Sequence, residues 1–356
     1  MSTFRVAELT PDAFVDAITE QDSTWTNWTL GTLLDSRTLD EQGDFRWLPK
    51  ERFLTGVFKD NELIIILVKI EGDFTWIIAH PRHVSLSKND TEHGLATLAT
   101  SFPSILAQEA TITPIILSKF DIVMGPASLV EPFVRAWISH VASRYDIHLK
   151  LSDYNLGLEV SYATLNTIPS PSSAFSPENH EIHRAREEHI QEIVPLYKKF
   201  REEATNSTAS DEEALQFLRQ ALDSKHLWFV YYKDADYKNV PRTVSGFLSL
   251  GRETPRTIAI RNVFVSPTLR KKGIAEAFVR AITRFYLGAK PPGLDLEGTE
   301  LIHPKDEICL NVNNPSAKRL YIRCGFQFGG DQMDSVTGKQ RWHPTPVFGV
   351  EVAEKQ

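Results

Sequence analysis

Apolar and polar residues alternate along this chain in two separate sets of patterns, divided by a short polar stretch. In the first half, residues 5–9, 53–58, 63–70 and 74–79 are dense in β-branched and aromatic side chains and read as strands. Residues 11–19, 94–107 and 128–144 carry helical spacing. In the last of these Leu129, Phe133, Trp137 and Val141 recur every fourth residue, which predicts one buried stripe, and Gly125-Pro126 ahead of it is an ordinary turn and helix start. The longest apolar run, residues 63–68, is far short of the ~20 residues that span a bilayer and reads as a buried strand. Residues 167–178 then hold three prolines and four serines, a composition that favours extended, solvated backbone. The expected organisation is a first domain over 1–165, a linker over 166–180 and a second domain over 181–356.

In the second half a strand at Ile182–Ala185 precedes helical patterns over 188–204 and 212–222. Strands at Leu227–Tyr232 and Val244–Leu250 flank a polar turn. Thr257–Val265 is a β-branched and aromatic strand, broken by Ser266-Pro267. Arg270-Lys271-Lys272-Gly273-Ile274-Ala275 follows, and then a helix over 276–287 with Ile274, Phe278, Ala281, Ile282 and Phe285 on one face. A strand, a basic glycine-bearing turn and a helix in that order can build an anion site. Glycine admits close approach, the first helix amides point outward, and the helix dipole favours negative charge. The plainer reading of this turn is a helix N-terminus whose basic residues face water. Further on, Ile308–Asn313 reads as a strand. Asn314 is a good N-cap, Pro315 suits the first helical position, and Gly325 is a suitable stop. Helical spacing alone makes Tyr321 a buried core tyrosine.

The chain's 356 residues suit about two domains. With 42% hydrophobic and 24% charged residues it is an ordinary globular composition. Two cysteines, Cys309 and Cys324, exclude a disulfide scaffold, and no metal site is expected. The N-terminus does not read as a secretory signal, so the expected location is cytoplasmic, with the nucleus not excluded. Net charge is −7, which argues against a nucleic-acid partner. Residues 1–165 hold 13 Lys and Arg against 22 Asp and Glu, and the remainder 26 against 24. An anionic ligand therefore suits the second half better. Five of the seven tryptophans lie in the first half, at positions 25, 28, 47, 76 and 137, as core and surface packing or as stacking groups for a ligand.

The two segments V-F-V-S-P-x-x-R-K-K-G-I-A and L-N-V-N-N-P-S-A-K-R-L-Y-x-x-C-G-F, in this order, resemble the GNAT superfamily of acetyl-CoA-dependent N-acetyltransferases. The opening of the same half, Ile182-His-Arg-Ala with Tyr197-Lys-Lys-Phe, is also similar to that family's first strand and helix. The resemblance covers about residues 180–350. It implies an α/β (α+β) fold of two tandem GNAT-like domains, each a mixed, mostly antiparallel sheet flanked by helices, with a splayed parallel strand pair in the C-terminal one. It implies acetyl-CoA as co-substrate, with no metal, and transfer of an acetyl or short acyl group to the primary amine of a small molecule or peptide by direct attack in a ternary complex. By the same resemblance Phe264 and Val265 would offer backbone groups to the pantetheine arm. Arg270, Lys271, Lys272, Gly273, Ile274 and Ala275 would wrap the pyrophosphate, Asn314 and Ala317 would line the far side of the cofactor, and Tyr321 would be the general acid.

The strand Ile258–Val265 lacks the carboxylate found in several relatives. Water held by Asn262 or Asn311, or Glu253 in the preceding loop, is the candidate base. The missing carboxylate also feeds an alternative, a coenzyme A-binding sensor or scaffold that does not turn over; the intact turn and Tyr321 count against it. No membrane partner is expected. The connection 288–307 is a lid over the acceptor or an inert insertion. Residues 330–350 read as a final hairpin bordering the acceptor. The first half is similar to a degenerate copy of the domain, in a structural or substrate-shaping role. Its near match to the phosphate turn, Thr91-Glu-His-Gly-Leu-Ala96, lacks the arginine and puts an acid where a phosphate would go.

Overall fold

The computed structural model describes residues 2–20, 22–39, 45–48, 51–70, 75–81, 86–107, 111–152, 157–170, 179–233, 243–289, 303–328, 333, 342–345 and 347–353. The chain divides into two compact units, one of residues 1–160 with 343–356, the other of residues 161–342. Each is built on a seven-stranded mixed sheet with helices against it, the α/β architecture expected from the sequence. Of the expected linker, residues 171–178 lie outside the described residues.

The first sheet runs in the spatial order Phe4–Glu8, Arg52–Lys59, Glu62–Ile70, Trp76–Ala79, Ile122–Met124, Val347–Val352, Leu149–Ser152. Its neighbours are antiparallel except Trp76–Ala79 beside Ile122–Met124, which is parallel. The helices Lys88–Ala107 and Ala127–Tyr145 cover it. The expected stripe is buried as a unit, with Leu129, Phe133, Trp137 and Val141 all fully enclosed. Trp76 and Trp137 lock edge-on or tilted against Phe102 and Phe120, so these two tryptophans are core packing rather than ligand platforms. The near match Thr91–Ala96 is not a turn at all. It lies inside the helix Lys88–Ala107, where a Cβ on Gly94 would stand 3.2 Å from both Ile64 and Ile65. That glycine serves close helix–sheet packing.

At the parallel pair of this unit the chain closes up. A Cβ on Gly125 would stand 2.1 Å from the Ile78 carbonyl oxygen, so the backbone after Ile122–Met124 presses onto its neighbour where an open slot would otherwise be.

Of the hairpin expected over 330–350, residues 330–332, 334–341 and 346 lie outside the described residues, and the two described strands at the end of the chain fall in different sheets. Trp342–Thr345 is a strand of the second sheet, whereas Val347–Val352 pairs with Ile122–Met124 and Leu149–Ser152 in the first. Val347 and Val350 find apolar partners in that unit's core, and burying them is what decides the pairing.

The second sheet runs in the order β1 (His180–Arg184), β2 (Leu227–Tyr232), β3 (Val244–Gly251), β4 (Thr257–Val265), β5 (Glu307–Val312), then Leu158–Ala163 and Trp342–Thr345. The pairs β1–β2, β2–β3 and β3–β4 are antiparallel and β4–β5 is parallel. Helices α1 (Ile190–Thr205) and α2 (Asp211–Asp223) pack on one face through Ile193, Tyr197, Phe229, Phe247 and Phe264. Helix α3 (Ile274–Tyr286) packs on the other with Ile258, Ile260 and Val265, and α4 (Pro315–Arg323) joins it there. Glu276 of α3 accepts from Arg280 of its own helix and from Arg323 of α4, at 3.1 and 2.6 Å, and so ties the two helices together.

The stop expected at Gly325 is present at φ +98°, and a Cβ there would stand 2.7 Å from both the Thr167 oxygen and the Ile168 Cα. Gly325→Ala is therefore expected to lower unfolding free energy by about 3 kcal/mol, combining left-handed strain with overpacking. Equilibrium denaturation checks this; an unchanged midpoint would contradict it. No described helix is long and apolar enough to cross a membrane.

Candidate active site

The site grows from β4. Its ladder with β3 pairs Ser249 with Asn262 but Leu250 with Ile260, so Arg261 is an extra residue, a bulge. A bulge bends its strand and stops regular pairing. On the other side the parallel register with β5 runs from Thr257–Glu307 to Ile260–Leu310 and ends there, although both strands continue. From the bulge onward β4 and β5 diverge, giving the splayed pair expected from the sequence.

The divergence exposes backbone. The Ser266 amide bonds the Ser245 oxygen of the residue preceding the β3–β4 pairs. Antiparallel alternation then directs the peptide groups of Phe264 and Asn262 to β3 and those of Val263 and Val265 toward the opening. The Phe264 side chain is buried on the α1 face and Val265 on the α3 face. Asn262 donates from Nδ2 to the Ser249 hydroxyl at 3.0 Å and is half-buried.

Beyond β4 the chain makes a 3-10 turn at Pro267–Leu269, passes through Arg270 in extended geometry, and enters α3 at Gly273. Lys271 and Gly273 both have left-handed backbone, at φ +66° and +78°. No side chain caps α3, and a Cβ on Gly273 would meet nothing within 4 Å. The first-turn amides thus stand beside open space, with Lys271 and Ala275 at the surface or partly so and Ile274 turned into the core. These are the physical requirements of an anion cradle. The basic side chains are less available than their sequence suggests. Lys272 lies 5.3 Å from the Tyr232 ring, and Arg270 is engaged by Glu203 at 2.7 Å and by the Val265 carbonyl at 3.2 Å.

On α4, Asn314 caps as expected, its Oδ1 accepting from the Ser316 and Ala317 amides at 2.8 and 3.2 Å. Ala317 and Tyr321, one turn apart, both pack against the core shared by α3, β4 and β5. Tyr321 meets Phe326 edge-on at 5.6 Å, and no hydrogen bond to its hydroxyl is present among the described residues. Burial pushes the phenol above its ordinary value, reinforced by Cys324, whose thiol burial pushes up to about 12.

Glu253 is placed apart from this group. It lies before Thr257, the start of β4, whereas the divergence begins at Arg261; Asn262 is about 16 Å farther along the strand. Glu253 accepts from His226 Nε2 at 2.8 Å and from Lys305 Nζ at 2.7 Å, and Lys305 also donates to the Thr254 carbonyl. Burial alone would raise its pKa, but the bonds from His226 and Lys305 and their charge override this and hold it at about 2. A carboxylate so held pins the returning segment at Lys305 and is a poor base. Its folded pKa lies below the ordinary 4.5, so its contribution to stability is complete above pH 4.5 and fades as pH falls toward 2. Glu253→Gln is expected to lower Tm at pH 7, with the gap to wild type closing between pH 4.5 and 2, and to leave turnover unchanged. A large loss of turnover at unchanged Tm would restore Glu253 to the site.

The sequence reading missed the Arg261 bulge and Ser249. A bulge follows from cross-strand register, which no local pattern encodes. Of the connection 288–307, residues 290–302 lie outside the described residues, as does most of the segment 330–341. Among the described residues no cluster of three or more His, Cys, Asp or Glu is placed to hold a metal.

Residues 224–328 match the family described as Acetyltransferase (GNAT) domain. No curated protein matches the chain. A solved Drosophila protein is 9% identical with a TM-score of 0.52, covering 98% of each chain. A GCN5-related N-acetyltransferase from Sphaerobacter thermophilus is 15% identical with a TM-score of 0.47, covering 98% of this chain and 95% of that one. A GNAT-family acetyltransferase from Colwellia psychrerythraea is 10% identical with a TM-score of 0.47, covering 98% and 100%.

Proposed function

From the GNAT acetyltransferase domain carried over residues 224–328, we propose that the second unit is an N-acyltransferase that moves an acetyl or short acyl group from acetyl-CoA to a primary amine. The observation that carries this reading is the convergence, at one end of β4, of the divergent strand pair and an uncapped glycine-entered helix. The residues fit the donor. Gly273 leaves its Cβ position open, and the Ile274 and Ala275 amides beside it suit a diphosphate. Lys271 and Lys272 add charge there, with Arg270 at the turn's start. The Val263 and Val265 peptide groups suit an amide-bearing arm, and Phe264 between them holds the strand's path. Asn314 and Ala317 would flank the far side. Acetyl-CoA, when bound, supplies an electrophilic thioester carbonyl.

Backbone N–H groups of β4 facing the opening would polarise that carbonyl as the amine nitrogen attacks, and holding both partners in one cleft supplies much of the rate. The carbon–sulfur bond breaks, and Tyr321 delivers its proton to the leaving sulfur. The ammonium proton passes to a water held by Asn262. Direct transfer in a ternary complex needs no nucleophile from the chain. The acceptor is a small-molecule or peptide amine, with no nucleic-acid or membrane partner and a cytoplasmic setting. The first unit acts as a structural or substrate-shaping partner, in keeping with its closed strand pair at Gly125.

Titrating acetyl-CoA by calorimetry and then screening amines for released thiol tests the reading. Binding with turnover on an amine supports it. Binding with no product from any amine favours the non-catalytic coenzyme A sensor, and no binding overturns both.

A further inference from the structure

Arg270 belongs, by its place in the turn, among the diphosphate contacts, yet its side chain is already committed in three directions. Nη2 donates to Glu203 Oε2 at 2.7 Å, Nε donates to the Val265 carbonyl at 3.2 Å, and the guanidinium lies 5.2 Å over the Phe264 ring. A planar guanidinium with fixed donors satisfies such a set without rearrangement, which a lysine could not do. Glu203 is in the last turn of α1, so the contact joins that helix to the start of the glycine turn. Phe264 in turn packs edge-on against Phe200, one turn earlier on α1. The same arginine therefore reaches helix α1, strand β4 and, through its own backbone, the turn.

We infer that Arg270 and Glu203 form a latch that sets the path of the turn, with Arg270 acting as a positioning residue and not as a ligand of the diphosphate. The inference rests on the acetyl-CoA reading of the second unit. Arg270 is extended while Lys271 and Gly273 are left-handed. Anchoring residue 270 from both sides determines where the amides of the next four residues point. Left-handed backbone at a lysine is held only where its surroundings impose it, and the latch is the adjacent constraint. The Nε bond also engages the Val265 carbonyl on the open side of β4, fixing the peptide that leads into the turn. Glu203 then has a role opposite in sign to simple electrostatics. A carboxylate beside a diphosphate site opposes anion binding through space, but through Arg270 it favours binding by ordering the amides.

The sign is what the experiment reads. Acetyl-CoA is titrated by calorimetry into wild type, Glu203→Gln, Arg270→Gln and the double variant at two salt concentrations, with thermal unfolding of each unliganded protein alongside. The latch predicts that Glu203→Gln weakens binding by about three- to fivefold, the size expected for loss of a half-exposed ion pair. Arg270→Gln weakens it to a similar extent, the double variant is no worse than either single one, and salt dependence and unfolding temperature stay near wild type. Tighter binding in Glu203→Gln would overturn the latch, since it would mean the carboxylate merely held a diphosphate ligand away. A much larger loss in Arg270→Gln with reduced salt dependence would overturn it too, by revealing a direct phosphate contact. Wild type that binds no acetyl-CoA would refute the cofactor reading itself, a result distinct from either.

Discussion

Gly273→Glu is expected to abolish the proposed acetyl-CoA binding, with a loss of at least about 100-fold, while the protein stays folded. Two independent effects add. Gly273 has φ +78°, a conformation that costs a non-glycine residue about 1–2 kcal/mol, so any side chain disturbs the entry of α3. Its Cβ direction is open, with nothing within 4 Å, so the new side chain leaves the backbone toward the space the diphosphate is proposed to fill. The carboxylate then sits where the uncapped amides and the helix dipole favour an anion, and it takes the place of the ligand. Gly273→Ala separates the two effects. It carries the backbone cost without the charge and should weaken binding only about tenfold, the equivalent of ~1.4 kcal/mol. Calorimetric titration of both variants beside thermal unfolding checks the pair. Full affinity in the glutamate variant would remove the turn from the cofactor site.

Tyr321→Phe is expected to retain acetyl-CoA binding and to lower turnover by about 10²-fold or more, the usual scale of a general acid. The ring packs against the core shared by α3, β4 and β5, and phenylalanine keeps those contacts, so the variant loses only the hydroxyl. Burial holds the phenol above its ordinary value of 10, and the group stays protonated through the neutral and mildly basic range. The sign follows directly: with the acid form retained, no loss of rate from Tyr321 is expected as pH rises toward 10. A pH–rate profile of wild type with the responsive amine, compared with the phenylalanine variant, measures this. Unchanged turnover in Tyr321→Phe would make the residue a core tyrosine, as its helical spacing alone suggests.

Much of the second unit was legible in the chain. The strands Leu227–Tyr232 and Thr257–Val265 occur over the residues expected, and Asn314-Pro315 starts a helix as its capping chemistry requires. These features are local: β-branched density, a capping oxygen, a ring without an N–H. Glu253 shows the limit of that reading. On paper it is a carboxylate near β4 and a candidate base. In space it is bonded to His226, 27 residues upstream, and to Lys305, 52 residues downstream at the entry to the neighbouring strand β5. The same holds for Arg270, whose partner Glu203 is 67 residues away.

The sequence by itself determined the two-unit α/β organisation, the order of strand, glycine turn and helix, and the stretch of chain proposed to hold the cofactor. Each depends on interactions within a few residues or on the period of apolar positions, so each is written in consecutive letters. Only the tertiary structure decided the bulge at Arg261, the length of the β4–β5 pairing, the sheet that receives Val347–Val352, and which charges remain available at the turn. Those depend on register and on partners distant in the chain, and a residue's environment is set by whichever of many possible neighbours the packed core brings to it.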